Sequence, residues 1–398
     1  MHIFIALCSL PFIVNGFEKL QKFALGILIL GSLYLTIKYF TRLDKKQKLF
    51  VGLLFVFAAM TPLYVYMGIS NIPLNTTNRY VAWALGGVWS VYFFKTATLK
   101  QKKALFTMLM VFMFFAVYNC IQQARTIMVT LSDNGETLQS TQFSTALFII
   151  AGALLVVFLR DKNLLLKLFS IALYALIFFV NSFLLQRGIV TVLGLLMLLV
   201  LVTTNTKYNS VMIVIASILC AAFLYIYLTV DYERITSFIS ATIPSRRLSF
   251  RLISVIDTIF EQNTLLLGSS FLTRVTYIQN SINTWLFTDI PTFLAGYGDD
   301  RTSFAFIGGH SEIFDTLAKH GLLGGLLLFS MLRYYYYNAT QMAFFKSTVL
   351  SKQFSVIFVF IIIRSLIGTI LVPIVGINMF FTLPLIFDIY YLTREDKK

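Results

Sequence analysis

Long apolar runs that carry almost no charge recur from one end of this chain to the other. Runs of about 18 residues or more are long enough for a helix to cross the ~30 Å hydrocarbon core of a bilayer. Lipid offers no partners to backbone N–H and C=O groups, and these runs lack the apolar–polar alternation of a membrane strand. We therefore expect an all-α polytopic membrane protein with about 12 transmembrane helices. The runs lie near residues 2–14, 23–41, 49–68, 80–97, 104–123, 143–159, 164–185, 188–204, 210–230, 311–337, 353–371 and 374–392.

The composition excludes an ordinary soluble domain. Of the 398 residues, 58% are hydrophobic and 12% are charged, whereas soluble domains have about 45–50% and about 25%. A net charge of +15 would also suit a nucleic-acid-binding protein. The lysines, however, cluster in alternate loops, which is typical of the cytoplasmic loops of a membrane protein. We therefore expect no nucleic-acid partner.

Cofactor chemistry has no signature in the sequence. The three cysteines, Cys8, Cys120 and Cys220, lie in separate apolar runs without metal-ligand spacing, so we interpret them as packing residues. The sequence contains no Asp-x-Asp, Walker or zinc motif. We expect neither a metal nor another cofactor.

The distribution of charge predicts the orientation of the chain. Basic residues concentrate in every second loop, which places those loops and both termini in the cytoplasm. The longest polar loop, 231–309, then lies outside. Because it is too short and apolar for an independent enzyme, we expect one integral membrane domain, 1–398, that contains this loop. The run 164–204 would be about 60 Å long as one helix, twice the core thickness, so it must break near Arg187 and Gly188.

The long outer loop has an unusual charge pattern, since it contains arginines and no lysine. Positive charge is disfavoured on that side of a membrane, and a guanidinium binds phosphate through two parallel hydrogen bonds. Arg247 and Arg251 are four residues apart on one predicted helix face, where they repel each other unless an anion lies between them. The alternative is a surface helix on lipid headgroups, above all for Arg246. For Arg187 the alternative is an arginine that snorkels from the end of a span.

His310 stands where this loop ends and an apolar run begins. Polar groups at a membrane boundary are costly and tend to be functional. If a helix begins at about Ser311, His310 shares one side with Gly321, Gly324 and Gly325. Small residues let a neighbouring helix approach closely, so we expect His310 to face other helices. A histidine that only bonds backbone at a helix start is the alternative interpretation.

These stretches resemble a bacterial family. The segment IGGHSEIFDTLAKHGLLGGLLLF, preceded by TRVTYIQNSINTWLFTDIPTFLAGYGDD, is similar to the outer-loop motif of O-antigen and capsule polymerases and of the related O-antigen ligases. NSFLLQRGIVTVLGLLMLLV resembles their upstream arginine–glycine motif. The resemblance covers the topology of the whole chain, but motifs only over 181–200 and 245–329. Where the family has Ser-Arg or Gly-Arg, this chain has Arg274 after a threonine, and the pair at 246–247 competes for that role.

The resemblance implies a GT-C-like fold and a metal-independent glycosyl transfer at the outer face of the bacterial plasma membrane. Donor and acceptor would be oligosaccharide repeat units on undecaprenyl diphosphate, and membrane lipid, a chain-length regulator and a flippase would be further partners. Such a reaction needs fixed positive charge for the diphosphate leaving group and a base near neutral pH. By resemblance His310 is the catalytic base, while Glu312 and Tyr297 are candidate sugar-binding residues. The candidate diphosphate-binding residues are Arg187, Arg274, Arg247, Arg251 and Arg246.

Three functions remain open from the sequence. The leading expectation is a polymerase that joins lipid-linked repeat units into O-antigen or capsular polysaccharide, which the serine after His310 favours by resemblance. An O-antigen ligase, which moves the glycan from its carrier to an acceptor, shares the same residues. A lipid-linked oligosaccharide flippase is an alternative of another class. Transporters place charge near the membrane midplane and often have two similar halves, whereas most charge here lies at the ends of the runs, with Arg364 the exception.

Overall fold

A computed structural model describes residues 18–66, 74–111, 138–161, 163–181, 188–204, 232–242, 270–297 and 311–395, together with the single positions 114, 118, 249 and 253. Within these ranges the chain is mainly helical and contains no β-strand. The predicted all-α class agrees with this structure.

The helices are numbered in chain order. They are α1 Glu18–Tyr39, α2 Lys45–Tyr66, α3 Leu74–Thr96, α4 99–111, α5 Leu138–Leu159, α6 Leu164–Phe179, α7 Gly188–Thr203, α8 Tyr232–Thr242, α9 Ser270–Leu286, α10 Ile290–Ala295, α11 Glu312–Thr340, α12 Thr348–Leu366, α13 Pro373–Ile377 and α14 Leu383–Tyr390. Short 3-10 turns follow α1 and α11, at Phe40–Arg42 and Ala343–Lys346. Turns of π-helix follow α13 and α14, at Asn378–Thr382 and Tyr391–Glu395.

Among the described residues, three helical segments are long and apolar enough to cross a membrane, and they are Phe23–Arg42, Thr348–Leu366 and Val375–Thr393. Shorter apolar helical segments are Ser144–Leu159 and Leu164–Phe179. These segments support the coarser prediction of a helical membrane protein. The number of about twelve spans and the large outer loop stay predictions, and the runs 2–14 and 210–230 lie outside the described residues.

Large apolar side chains point outward from several helices. On α6, Leu164, Leu165, Leu168 and Phe169 are each more than half exposed. A contiguous exposed apolar surface marks contact with a partner or with lipid. The outer face of α6 therefore fits a lipid environment.

The apolar run 164–204 folds back on itself. Helix α6 ends at Phe179 and α7 begins at Gly188. The Tyr174 hydroxyl donates a hydrogen bond of 2.7 Å to the carbonyl oxygen of Gly194. In one continuous helix, residues so far apart in sequence would be separated by about 30 Å. The predicted break before Gly188 is therefore confirmed.

One hydrophobic core joins the first described helix to the last. Helix α3 packs against α1, α2 and α13, and α11 packs against α2, α9, α10 and α12. Aromatic rings fill much of this interior, where Trp83 meets Phe380 edge-on with centroids 4.9 Å apart. This core holds both ends of the bundle in place. The predicted domain bounds, 1–398 with a loop at 231–309, stay a prediction.

The bundle has two chemically different ends. At one end Gln47 Nε2 donates to Asn338 Oδ1 at 3.0 Å, which joins the start of α2 to the end of α11. Lys102 Nζ lies 2.7 Å from Asp388 Oδ2 and joins α4 to α14. We term this the lysine-rich end. The opposite end contains the starts of α3, α5 and α11, the end of α12, and helices α9 and α10.

Candidate functional site

Helix α11 starts directly after His310, and its first residues lock the helix start. The Ser311 hydroxyl accepts a hydrogen bond from Phe314 N at 3.3 Å, and Ser311 N donates to Asp315 Oδ2 at 3.2 Å. Reciprocal bonds of this kind satisfy the backbone groups that a helix start leaves without partners. Glu312 and Asp315 in the first turn also suit the positive end of the helix dipole. The residues after His310 thus specify a rigid helix start.

Glu312 ties this helix start to the chain between α12 and α13. Its Oε2 accepts hydrogen bonds from the backbone nitrogens of Ile370 and Leu371, both at 2.9 Å. Its own backbone nitrogen donates to the carbonyl oxygen of Gly368 at 3.2 Å. Residues 367–372 are not helical, so their buried amides need partners from elsewhere in the fold. Glu312 supplies these partners, and only 3% of its surface is exposed.

Arg364 lies beside the same non-helical segment, near the end of α12. It is 1% exposed, and its Nε donates to Thr145 Oγ1 at 3.0 Å, which links α12 to α5. The guanidinium covers Gly368 so closely that a methyl group added there would overlap it. Buried charge in a membrane bundle is costly and tends to be functional.

Among the described residues at this end, five ionisable side chains are buried, and we term them the charged cluster. They are Glu312, Asp315, Lys319, His320 and Arg364. Apart from the histidine, two acids are matched by two bases, so their formal charges cancel. Burial of charge is tolerable only when it is paired and hydrogen-bonded. Because the formal charges of the cluster cancel, these side chains can be buried away from water.

Helices α9 and α10 are fastened to the first turns of α11. Ser281 Oγ on α9 donates to Asp315 Oδ1 at 3.0 Å. Tyr297 N, just after α10, donates to the carbonyl oxygen of Ala318 at 2.8 Å. The last part of the predicted outer loop therefore packs on the helix that follows His310.

Two glycines in the left-handed region allow this close packing. Gly321 has φ 64° and ψ −167°, which interrupts α11, and Gly296 has φ 88°. A methyl group at Gly321 would collide with the carbonyl oxygen of Leu294, and one at Gly296 would collide with the backbone of Lys319 and His320. Backbone therefore packs directly on backbone, which only glycine permits. The close approach predicted for the small residues therefore occurs at Gly321, whereas Gly324 and Gly325 meet side chains of α11 itself. The prediction that these glycines share one side of a continuous helix is wrong, because the backbone at Gly321 is not helical.

His320 is a packing residue of the charged cluster. It is 3% exposed, and its ring meets that of Tyr80 edge-on, with centroids 6.5 Å apart. Tyr80 lies near the start of α3, so this contact brings α3 to the same end of the bundle. The contact gives His320 a structural role.

Most of the predicted site residues lie outside the described residues. They are His310, Arg187, Arg246, Arg247 and Arg251. Their roles stay predictions. The structure does describe Ser311, the residue that directly follows His310 in the sequence.

The remaining three predicted residues fall on described elements at this end. Arg274 belongs to α9, although its side chain lies outside the description. Tyr297 is 42% exposed beside the charged cluster, so it is accessible to a ligand. The carboxylate of Glu312 accepts hydrogen bonds from backbone amides, so its structural role is to position the segment 367–372. Direct contact of Glu312 or Tyr297 with a sugar stays a prediction.

Arg364 and Gly368 are not among the site residues that the sequence motifs predicted. A signal existed for Arg364, which is an arginine within an apolar run, with a glycine four residues later. No local pattern indicated that Glu312 would meet a segment 58 residues further on. That contact depends on how α11 and α12 pack.

The arrangement can position loop residues and keep charge away from water. Each carboxylate of the charged cluster accepts hydrogen bonds from backbone or hydroxyl donors. Among the residues that the structure describes, no group of three or more histidine, cysteine or acidic side chains could hold a metal ion. The arrangement therefore holds the start of α11 and the segment 367–372 in fixed positions.

No protein-family model matches this chain, and no curated protein matches it at a significant level.

Proposed function

We propose that this protein is a polymerase of the bacterial plasma membrane. It joins undecaprenyl-diphosphate-linked oligosaccharide repeat units into O-antigen or capsular polysaccharide at the outer face. The protein has about twelve spans, cytoplasmic termini and an extracytoplasmic active site. The proposal rests on the resemblance of the motifs and on one structural observation.

The supporting observation is the fixed helix start after His310. Ser311, Glu312 and Asp315 bind the first turn of α11 to itself, to the segment 367–372 and to α9. A catalytic group must be held within a fraction of an ångström to be effective. A helix start that is restrained from three directions suits a catalytic residue directly before it.

The reaction follows from the chemistry of the donor. The acceptor hydroxyl oxygen attacks the anomeric carbon of the donor sugar, and the bond from that carbon to the diphosphate oxygen breaks. The diphosphate leaves with the electron pair, and Arg187 and Arg274, with Arg246, Arg247 and Arg251, bind its charge. His310 takes the hydroxyl proton. Fixed cations and a neutral imidazole supply these needs without a metal.

The experiment is a glycan ladder from cells that carry the His310→Ala variant as their only copy. A general base typically contributes about 10²–10⁴-fold in rate, so we expect the ladder to collapse to a single repeat unit. Membrane abundance of the variant is measured beside it. His2→Ala, the same substitution at a histidine outside the motif, is the matched control and should give a normal ladder.

The ladder separates the candidate enzymes. If long glycan accumulates on its carrier lipid, the protein is a ligase. A normal ladder from His310→Ala at normal abundance contradicts the catalytic assignment. Arg187→Ala and Arg274→Ala test the diphosphate site in the same strain.

A second candidate, the lipid-linked oligosaccharide flippase, is favoured by a separate observation. Helix α11 is interrupted at Gly321, and residues 367–372 separate α12 from α13 near the buried Arg364. Transporters often bind substrate at interrupted helices of this kind. Purified protein in detergent separates the two, because a polymerase lengthens lipid-linked repeat units without a sealed membrane and a flippase leaves them unchanged.

A further inference from the structure

A cavity opens at the lysine-rich end, on the opposite side of the bundle from the charged cluster. Its volume is about 200 Å³. It lies where α3, α4, α11 and α14 meet. The polar residues that line it are Gln47, Lys95, Lys102, Asn338, Gln341 and Asp388.

The polar wall of this cavity is held in place by side-chain contacts. Lys102 pairs with Asp388 at 2.7 Å, and Gln47 donates to Asn338 at 3.0 Å. Both Lys102 and Asp388 are largely buried, which orders the pair. Lys95 adds a second cation and is exposed. Among the described lining residues, two lysines stand against one aspartate, so the wall has an excess positive charge.

The rest of the lining is apolar. It consists of Val91, Phe94, Met342, Ala343 and Leu392. One cavity therefore offers a cationic group, carboxamides and apolar walls to the same ligand. Basic pockets between membrane helices with this mixed character suit a phosphate that is attached to an apolar group.

We propose that this cavity binds a phosphate-bearing anion, with the phosphate at Lys95, which supplies the excess positive charge because Lys102 is paired with Asp388. The apolar walls favour an anionic phospholipid as its source, because they can contact the apolar part of the lipid next to the phosphate, and a soluble phosphate compound has the same polar chemistry. The site is separate from the proposed catalytic end and does not depend on the proposed function. If this end is cytoplasmic, as the loop charges predict, the lipid belongs to the inner leaflet.

The test uses full-length protein purified in detergent. It is titrated with short-chain phosphatidylglycerol, with short-chain phosphatidylcholine and with glycerol 3-phosphate, and binding is followed by the shift in unfolding temperature. Lys95→Gln removes one cation from the cavity wall at an exposed position, so the fold should persist. Lys100→Gln is the matched control, because Lys100 is an exposed lysine close in sequence that does not line the cavity.

We expect saturable binding of phosphatidylglycerol that Lys95→Gln weakens about fivefold and Lys100→Gln leaves unchanged. Ala343→Leu, which adds volume to the apolar wall, should weaken it as well. If glycerol 3-phosphate binds with the same dependence on Lys95 and the lipid does not, the site takes a soluble phosphate. Equal weakening by both lysine variants would show that only diffuse surface charge attracts the lipid. No weakening by either variant would show that Lys95 does not contact the phosphate. Either result would overturn the proposal.

Discussion

The carboxylate of Glu312 stabilises the fold more than a single acidic side chain usually does. One of its oxygens accepts two backbone hydrogen bonds from the non-helical segment after α12. Inside a membrane bundle, no water is available to accept hydrogen bonds from these amides. Glu312 therefore joins two parts of the fold that are far apart in sequence.

Glu312→Ala should destabilise the protein clearly, whereas Glu312→Gln should cost less. Alanine leaves the amides of Ile370 and Leu371 buried without an acceptor, at a cost of about 1–3 kcal/mol for each group. Glutamine keeps one acceptor oxygen in nearly the same place. The measurement is thermal unfolding of the purified variants in detergent. Equal unfolding temperatures for the two variants would contradict this account.

Gly368→Ala should destabilise the wild-type protein but not an Arg364→Ala variant. The new methyl group would overlap the Arg364 guanidinium, and truncation of the arginine removes the obstacle. Because the two residues touch, we expect a coupling free energy of about 0.5–3 kcal/mol in a double-mutant cycle. The free energy of unfolding is measured for the wild type, both single variants and the double variant.

Gly26→Ala in α1 is the control for the glycine substitution itself. A methyl group at Gly26 meets nothing within 4 Å. Alanine is a better helix former than glycine, so this variant should be neutral or slightly stabilised. Additive effects of Gly368→Ala and Arg364→Ala would show that the guanidinium does not limit the space at Gly368.

Helix α11 consists of two helical parts with different tasks. The first part, before Gly321, carries most of the charged cluster and receives α9 and α10. The second part is apolar and runs to Asn338 at the lysine-rich end. The interruption lets the first part meet the backbone of Leu294 and Ala295 while the second part stays in the core.

Gly321→Ala should separate α10 from α11 and destabilise that end of the bundle. A side chain at φ 64° and ψ −167° costs about 1–3 kcal/mol, and the added methyl group also collides with the Leu294 carbonyl. Gly86→Ala in α3, where the new methyl meets nothing within 4 Å, is the matched control. Limited proteolysis between α10 and α11 measures the loss of docking. If Gly321→Ala resists protease as the wild type does, the kink does not hold α10.

In the part of the chain that the structure describes, the balanced charged cluster is buried at one end of the bundle and exposed lysines lie at the other. Helix α11 connects the two ends. Because lysine-rich loops stay in the cytoplasm, we predict that the two ends lie on opposite sides of a membrane.

Cysteine labelling tests this orientation in spheroplasts. In a variant without Cys8, Cys120 and Cys220, we expect Asn283→Cys on α9 to react with a membrane-impermeant maleimide. Lys346→Cys at the lysine-rich end should react only after the membrane is permeabilised, because lysine-rich loops stay in the cytoplasm. Both positions are exposed, so access to the side chain is matched. Reaction of both cysteines in sealed spheroplasts would contradict the predicted topology.

The helical class and the break before Gly188 could be predicted from local sequence, the break from length alone. Apolar runs of membrane length predicted helices that overlap α1 to α7 and α11 to α14 where the structure describes them. Helices α8, α9 and α10 lie in the loop 231–309, and the interruptions at Gly321 and at 367–372 were not predicted. The helix start at Ser311 followed from its position after the polar loop. These features depend on backbone hydrogen bonding and on residues near in sequence, which a sequence displays directly.

Three contacts could not be predicted in this way. They join Glu312 to Ile370, Arg364 to Thr145 and Gly321 to Leu294. These contacts depend on which helix faces pack together, and many pairings bury similar apolar area. Only the folded bundle selects one of them, because buried amides and charges tolerate few arrangements. Local sequence therefore specified helices and a candidate motif at His310, while packing decided which distant residues hold the helix start at Ser311 in place.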